Sequence, residues 1–365
     1  MNQPLQAQIK SILDTHVDPY LQKTWGEVQA VQEVTVVDAK VQLRIQLGYP
    51  SQGFPQQYTQ AISEKLLALP AISEVDIHFS TQIVAHSAQA GIANIPKVKN
   101  IIAIASGKGG VGKSTTAVNL ASALSLQDAR VGILDADIYG PNQPHMLGAT
   151  DRLSIENGQA LPPRLVHGMQ SMSMGYLIDP QTPMVWRGPM VSSALQQLAH
   201  DTAWDDLDYL IIDLPPGTGD IQLTLAQKIP VNGAVIVSTP QDIALLDARK
   251  GLEMFRKVNV AVLGIIENMS MHVCSHCGQH EAIFGEGGAA ALAQDCVTEL
   301  LGQLPLTKMI REQADKGVPI VLAYPDSEPA RLYQEIARKL AAKLSLQPKS
   351  YATRFPKVVV ENSSQ

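Results

Sequence analysis

One stretch, SGKGGVGKSTT (Ser106–Thr116), constrains this chain more than any other. Within it, Gly107-Lys108-Gly109-Gly110-Val111-Gly112-Lys113-Ser114 satisfies G-x-x-x-x-G-K-[ST], a loop that works only between a strand and the helix it opens. The flanks agree. NIIAIAS reads as a buried strand, and Ala117, Leu120, Ala121 and Leu124 mark a helical stripe. The glycines let backbone N–H groups turn toward phosphate oxygens, and the helix N-terminus adds a favourable partial charge. Lys113 is expected to reach the β- and γ-phosphates of a nucleotide, the Ser114 hydroxyl to ligate Mg²⁺, and Thr115 to support the α-phosphate.

Downstream the chain alternates between strand and helix. RVGILDAD, LDYLIIDLPPG, GAVIVSTPQ and VLGIIENMS are short apolar runs of the kind that form parallel strands covered on both faces. The expected class is α/β: a mostly parallel sheet forming a P-loop NTPase domain, preceded by a small α+β domain. Ligands of such sheets bind at the carboxyl ends of the strands, where Asp135, Asp137, Asp213 and Asn268 fall. Side chains two apart on an extended strand point the same way, so Asp135 and Asp137 can both face the phosphates. A helix cap for the aspartates and an Asx turn for Asn268 are the structural alternatives.

The first segment reads helix, strand, strand, helix, strand. Val41, Leu43, Ile45 and Leu47 alternate with polar residues, and Ile9, Ile12, Leu13 and Val17 recur at helical spacing. The reading divides the chain into residues 1–82 (small α+β domain), 83–97 (linker), 98–346 (P-loop ATPase domain) and 347–365 (tail without periodicity). The last helix, EPARLYQEIARKLAAKL, carries an apolar stripe that fits a domain core better than a membrane surface.

The net charge of −6 over 365 residues argues against a nucleic-acid or acidic-membrane partner, since both favour a basic surface. No apolar run approaches the roughly 20 residues that cross a bilayer, and the N-terminus lacks a signal-peptide pattern. A cytoplasmic chain with reduced cysteines is expected.

There are three cysteines. Cys296 sits among small apolar residues and reads as core. Cys274 and Cys277 form C-x-x-C in HVCSHCGQHEAIFGEGG. Two thiolates hold one side of a metal centre, which usually wants four ligands. His272, His276 and His280 offer an intrachain zinc site, and a redox dithiol is a second possibility. A two-fold dimer offers a third solution, because two copies bring four thiolates together.

GKGGVGKST resembles the deviant Walker A loop of the MinD, ParA and nitrogenase iron-protein superfamily. The resemblance implies that Lys108 crosses a dimer interface to the partner's nucleotide, a cation supplied in trans where phosphoryl charge develops. It further implies that Asp137 orients the attacking water, that Asp135 lies near Mg²⁺ and Lys113, that Asp213 holds Mg²⁺, and that Asn268 reads the adenine edge.

With LDADIYGPNQP, VWRGPM, LDYLIIDLPPGTGD, IENMS, CSHCG and IFGEGG following in order, residues 96–345 are similar to the Mrp/ApbC family of iron–sulfur cluster carrier ATPases. The first unit resembles the small domain of other iron–sulfur assembly factors, but it has no cysteine, so it offers no thiolate to a cluster. The resemblance implies a homodimeric, slow ATPase using ATP and Mg²⁺. It would hold a [4Fe–4S] cluster on Cys274 and Cys277 of both subunits, receive it from scaffold or donor proteins, and pass it to apo iron–sulfur proteins. Arg187 belongs to the family pattern without a physical role. The rival reading is a positioning ATPase of the MinD/ParA type acting on membrane or DNA. It expects a free amphipathic C-terminal helix or a basic patch and leaves the cysteine pair without a task.

Overall fold

The computed structural model describes residues 3–54, 56–153, 160–178, 188–274 and 277–350. The first unit comprises α1 (Gln3–Asp14), β1 (Val31–Val37), β2 (Lys40–Leu47), α2 (Gln56–Leu67) and β3 (Glu74–Thr81). Its sheet order is β1-β2-β3, with β1 antiparallel and β3 parallel to β2. The β1–β2 turn is Asp38-Ala39, both at positive φ (47° and 65°), as a two-residue hairpin requires. Val41, Leu43, Ile45 and Leu47 turn inward, as their alternation demands. Asp18 is fully buried and anchors the unit. Its carboxylate accepts from the Tyr20 and Leu21 backbone N–H, the Trp25 indole and, at 2.7 Å, the Tyr49 hydroxyl.

The second unit comprises β4 (Val98–Ala105), α3 (Lys113–Leu126), β5 (Val131–Asp135), α4 (Gln143–Met146), β6 (Arg164–Val166), β7 (Met169–Ser173), α5 (Gly188–Asp201) and β8 (Leu207–Asp213). It continues through α6 (Asp220–Lys228), β9 (Gly233–Ser238), α7 (Asp242–Lys257), β10 (Val262–Val273), β11 (His280–Glu281), α8 (Gly288–Asp295), β12 (Leu300–Leu306), α9 (Lys308–Asp315), α10 (Ile320–Ala323) and α11 (Glu328–Ser345). The sheet runs β12-β10-β9-β4-β8-β5-β7-β6, with β11 on the far end of β10. All pairs are parallel except β6–β7 and β10–β11. The central strands β4, β8 and β9 are apolar and buried along almost their whole length, which matches the continuous apolar runs in the sequence.

The last helix is not free. Tyr333, Ile336, Ala337, Leu340, Ala341 and Leu344 are all buried, so α11 is not the free amphipathic helix that is one of the two features the positioning reading expects. The same helix also holds the first unit. The Tyr20 hydroxyl donates to Glu335 at 3.0 Å, and the buried Arg338 donates to the Gln52 carbonyl at 2.8 Å with its guanidinium over the Tyr20 ring. Among the described residues no helix is long and apolar enough to cross a membrane.

The segment between the units and the start of the tail are more ordered than the sequence implies. His86 is buried, and both its backbone N–H and Nδ1 engage Asn100 Oδ1, while Asn232 Nδ2 donates to the His86 carbonyl at 2.8 Å. Ser87 N–H donates to the Pro348 carbonyl, and Ser350 N–H to that of Ala85. The rest of the tail, from residue 351, lies outside the described residues. We therefore place the useful boundary before this clasp. Removing residues 1–82 should leave a cooperatively melting remainder. Removing 1–90 also deletes His86 and strands the Asn100 and Asn232 amides, at about 1–3 kcal/mol for each unsatisfied group. Thermal melts of the two truncations should show the longer deletion to be the less stable; equal melting points would discard the clasp.

Candidate functional site

The phosphate loop lies where β4 ends and α3 begins. Two glycines are needed for close approach. A Cβ on Gly107 would stand 2.2 Å from the Asp247 carbonyl carbon of α7. Gly112, the residue before α3, has φ +79°, and a Cβ there would meet Asn268 Nδ2 at 2.1 Å. Lys113 is buried, with its ammonium 2.5 Å from Asp213 Oδ1 and 3.2 Å from the Ser114 hydroxyl. Thr115 follows in the first turn of the helix, partly buried.

Asp135 and Asp213 are paired neighbours on the parallel strands β5 and β8. Both are buried beside the single ammonium of Lys113. Burial, and then the adjacent Asp213 charge, push the Asp135 carboxyl up to about 7. Asp213 already takes the Lys113 ammonium, so ionising Asp135 beside them is costly without a further positive charge, and the donor set fits a divalent cation. Gln143 ties the group together. Its amide N–H₂ donates to Asp213 Oδ2 at 2.9 Å and to the Ser114 carbonyl at 3.0 Å. Its backbone N–H donates to Asp135 Oδ2 at 3.0 Å. Those two acceptors fix the amide orientation and leave Gln143 Oε1 buried without a hydrogen-bond partner, an acceptor beside the carboxylates.

Asp137 departs from the expected geometry. β5 ends at Asp135, so Asp137 sits in the following turn and not on the strand. The turn is held by Asp135 Oδ1, which accepts the Asp137 N–H at 3.2 Å. Asp135 thus also caps local backbone, as the structural alternative expected. Asp137 is half-exposed; partial burial raises its carboxyl above the ordinary range, and Lys113 opposes that. Asn268 is buried and donates its amide to the Val111 carbonyl at 2.8 Å, bracing the phosphate loop from β10. Lys108 is half-exposed in the loop, its carbonyl accepting the Ser106 hydroxyl.

The loop after β8 is set by Gln222. It accepts the Gly219 N–H at 2.8 Å and donates to the Pro216 carbonyl at 2.5 Å, while Gly217 N–H reaches the Ser106 carbonyl at 2.9 Å. Sequence reasoning assigned no role to Gln222, Gln143 or the fully buried Glu267. Glu267 accepts the Ala289 N–H at the start of α8 and the Gln303 amide. A lone Gln or Glu carries no periodic signal; only its place inside LDADIYGPNQP or IENMS marks it.

β10 outruns its neighbours and ends in the cysteine hairpin. Val273 pairs with His280, Cys274 N–H donates to the Gln279 carbonyl at 2.9 Å, and Gly278 N–H returns to the Cys274 carbonyl at 2.9 Å. Cys274 is half-buried, Cys277 exposed and Cys296 buried in the core. Among the described residues no three His, Cys, Asp or Glu side chains gather as a metal site. His276, like Arg187, lies outside the described residues.

A phosphate loop, two buried strand-end carboxylates and a parallel sheet together define a P-loop NTPase. The NUBPL iron-transfer P-loop NTPase family matches residues 97–341, and an iron-sulfur cluster assembly protein family matches residues 6–79. The chain belongs to the NUBPL iron-transfer P-loop NTPase family. It is 59% identical over 271 residues to an iron-sulfur cluster carrier protein of Pseudomonas fragi, covering 74% of this chain and 94% of that one. It is 48% identical over 341 residues to that of Escherichia coli K12, covering 93% and 92%. The iron-sulfur cluster transfer protein NUBPL of Mus musculus is 50% identical over 256 residues, 70% of this chain and 80% of its own. Among solved structures, a nucleotide-binding protein in complex with ADP from Archaeoglobus fulgidus is similar at TM-score 0.54 and 39% identity, covering 60% of this chain and 87% of that one.

Proposed function

We propose that this chain is an ATP-hydrolysing iron–sulfur cluster carrier that holds a [4Fe–4S] cluster between two copies of itself and passes it to apo-proteins. The observation that carries this reading is β10 itself. One strand braces the phosphate loop through Asn268 and, a few residues on, delivers Cys274 and Cys277 to a hairpin. Cargo site and nucleotide site are thereby built on one element. The family membership and the carrier names of the relatives support the same assignment.

Without nucleotide, Lys113 is neutralised by Asp213. In the bound state Lys113 turns to the β- and γ-phosphates, the loop N–H groups from Gly107 to Gly112 take phosphate oxygens, and Thr115 supports the α-phosphate. Ser114 and Asp213 would hold Mg²⁺, which would supply positive charge against the phosphates. Asp135 keeps the carboxylate pair and the following turn in place. Asp137, partly solvated beside them, orients the water that attacks the γ-phosphate. Asn268 borders the base pocket. Lys108, half-exposed in the loop, adds charge to the transition state of the second copy's site. The cluster is cargo, taken from donor proteins and released to apo iron–sulfur proteins in the cytoplasm.

Lys108→Ala should leave ATP affinity near the parent value and lower kcat by about a hundredfold or more, because the lost charge acts on the neighbouring site in the transition state. Steady-state hydrolysis at saturating ATP checks it. An unchanged kcat would make Lys108 a surface lysine and remove one reason for the dimer.

A further inference from the structure

β10 contains an irregularity between its two tasks. Asn268 is level with Leu304 of β12, and His272 with Leu306, so four steps along β10 match two along β12. Pairing to β9 stops at Glu267. The surplus is a bulge-like register shift, and within it Met269 has φ +56°. Left-handed backbone at a bulge ordinarily selects glycine, since a side chain there is strained. The sequence places methionine at this point, and its side chain faces the phosphate loop: Met269 Cε lies 3.6 Å from where a Cβ on Gly112 would stand. Gly112 closes the phosphate loop. Just beyond the bulge, the Ser270 hydroxyl donates to the Leu304 carbonyl at 3.1 Å and His272 Nδ1 lies 3.2 Å from the Leu306 carbonyl oxygen, tying the base of the hairpin to β12.

We propose that Met269 is a positioning residue that couples the phosphate loop to the cysteine hairpin. Its thioether end follows Gly112 when nucleotide reorganises the loop, and its left-handed backbone converts that shift into a change in how β10 lies against β12, which the Ser270 and His272 bonds pass on to Cys274 and Cys277. Strained residues that persist at a joint are held by their surroundings and gather at switching elements. Here the surroundings are the phosphate loop on one side and the Ser270 and His272 tethers on the other. The inference rests on Cys274 and Cys277 being the cargo site, but its test does not require cargo.

The test uses the full chain, free of iron, with Cys274→Ser so that Cys277 is the exposed thiol that reacts. The alkylation rate of Cys277 by N-ethylmaleimide is measured with and without Mg·ADP. In the Met269 parent, nucleotide should change the rate by about fivefold or more, within the usual range for coupled sites. Met269→Gly frees the backbone and removes the side chain that faces the loop. It should bind ADP with parent affinity yet abolish the rate change, while Met269→Leu, which keeps the bulk, should retain it. If Met269→Gly does not fold by circular dichroism, Met269→Asn, which tolerates left-handed backbone, carries the same comparison. A glycine variant that keeps the full rate change, or a parent that shows none, overturns the proposal. So does a glycine variant that loses ADP affinity, because Met269 then belongs to the pocket itself. A failure to bind iron would count against the carrier reading and leave this result untouched.

Discussion

Lys113→Ala should abolish detectable nucleotide binding and also destabilise the nucleotide-free protein. The two effects have one origin. The Lys113 ammonium is buried and is the cation on Asp213, itself fully buried, at 2.5 Å. Removing it leaves an uncompensated charge in the interior, which costs about 3–5 kcal/mol. It also removes a charge-assisted contact to two phosphates, so affinity should fall by at least about a hundredfold. The double variant Lys113→Ala with Asp213→Asn separates the terms. It should recover most of the stability, because the stranded charge is gone, but none of the binding. Chemical denaturation and ADP titration of the three proteins check both. A single variant of parent stability would mean that the Lys113–Asp213 pair is not a net interaction in solution.

Cys274→Ser and Cys277→Ser should each eliminate cluster binding while leaving ADP affinity unchanged. The thiolates sit on a hairpin beyond the end of the sheet, outside the hydrogen-bonded set of Lys113, Asp135, Gln143 and Asp213. The serine hydroxyl preserves the size of the side chain but is not a thiolate ligand, and a four-ligand cluster missing one residue per chain has lost two of its four. Cys296→Ser should retain the cluster, since Cys296 is buried at the end of α8. Iron counting after anaerobic reconstitution distinguishes the three. Full iron content in the Cys277 variant would break the ligand assignment.

Much of this architecture is legible in the sequence because its determinants are local. The phosphate loop imposes strand, turn and helix through glycine and lysine positions. The buried strands announce themselves as unbroken apolar runs, and β2 as strict alternation. What the sequence hides is long-range pairing. The clasp of His86 by Asn100 and Asn232, and the docking of Tyr20 and Gln52 on α11, join positions far apart in the chain, with no periodic trace. Gln143 is invisible for the same reason, since its value comes from reaching Ser114, Asp135 and Asp213 at once. The strand carrying Asp135 stops two residues earlier than the sequence reading suggests, because the backbone must curl for Asp135 to accept the Asp137 and Gln143 N–H groups. The bulge at Met269 is also unreadable, as it is set by β12 and not by β10 alone.

The central claim is one cluster shared by two chains. Anaerobic reconstitution with iron and sulfide, followed by metal analysis and mass determination of the reconstituted species, tests it most directly. The account expects a dimer holding about four iron atoms, with broad absorption near ~400 nm, and reversion toward the monomer as the cluster is chelated away. A monomer with one tightly bound zinc per chain and no iron uptake would contradict it.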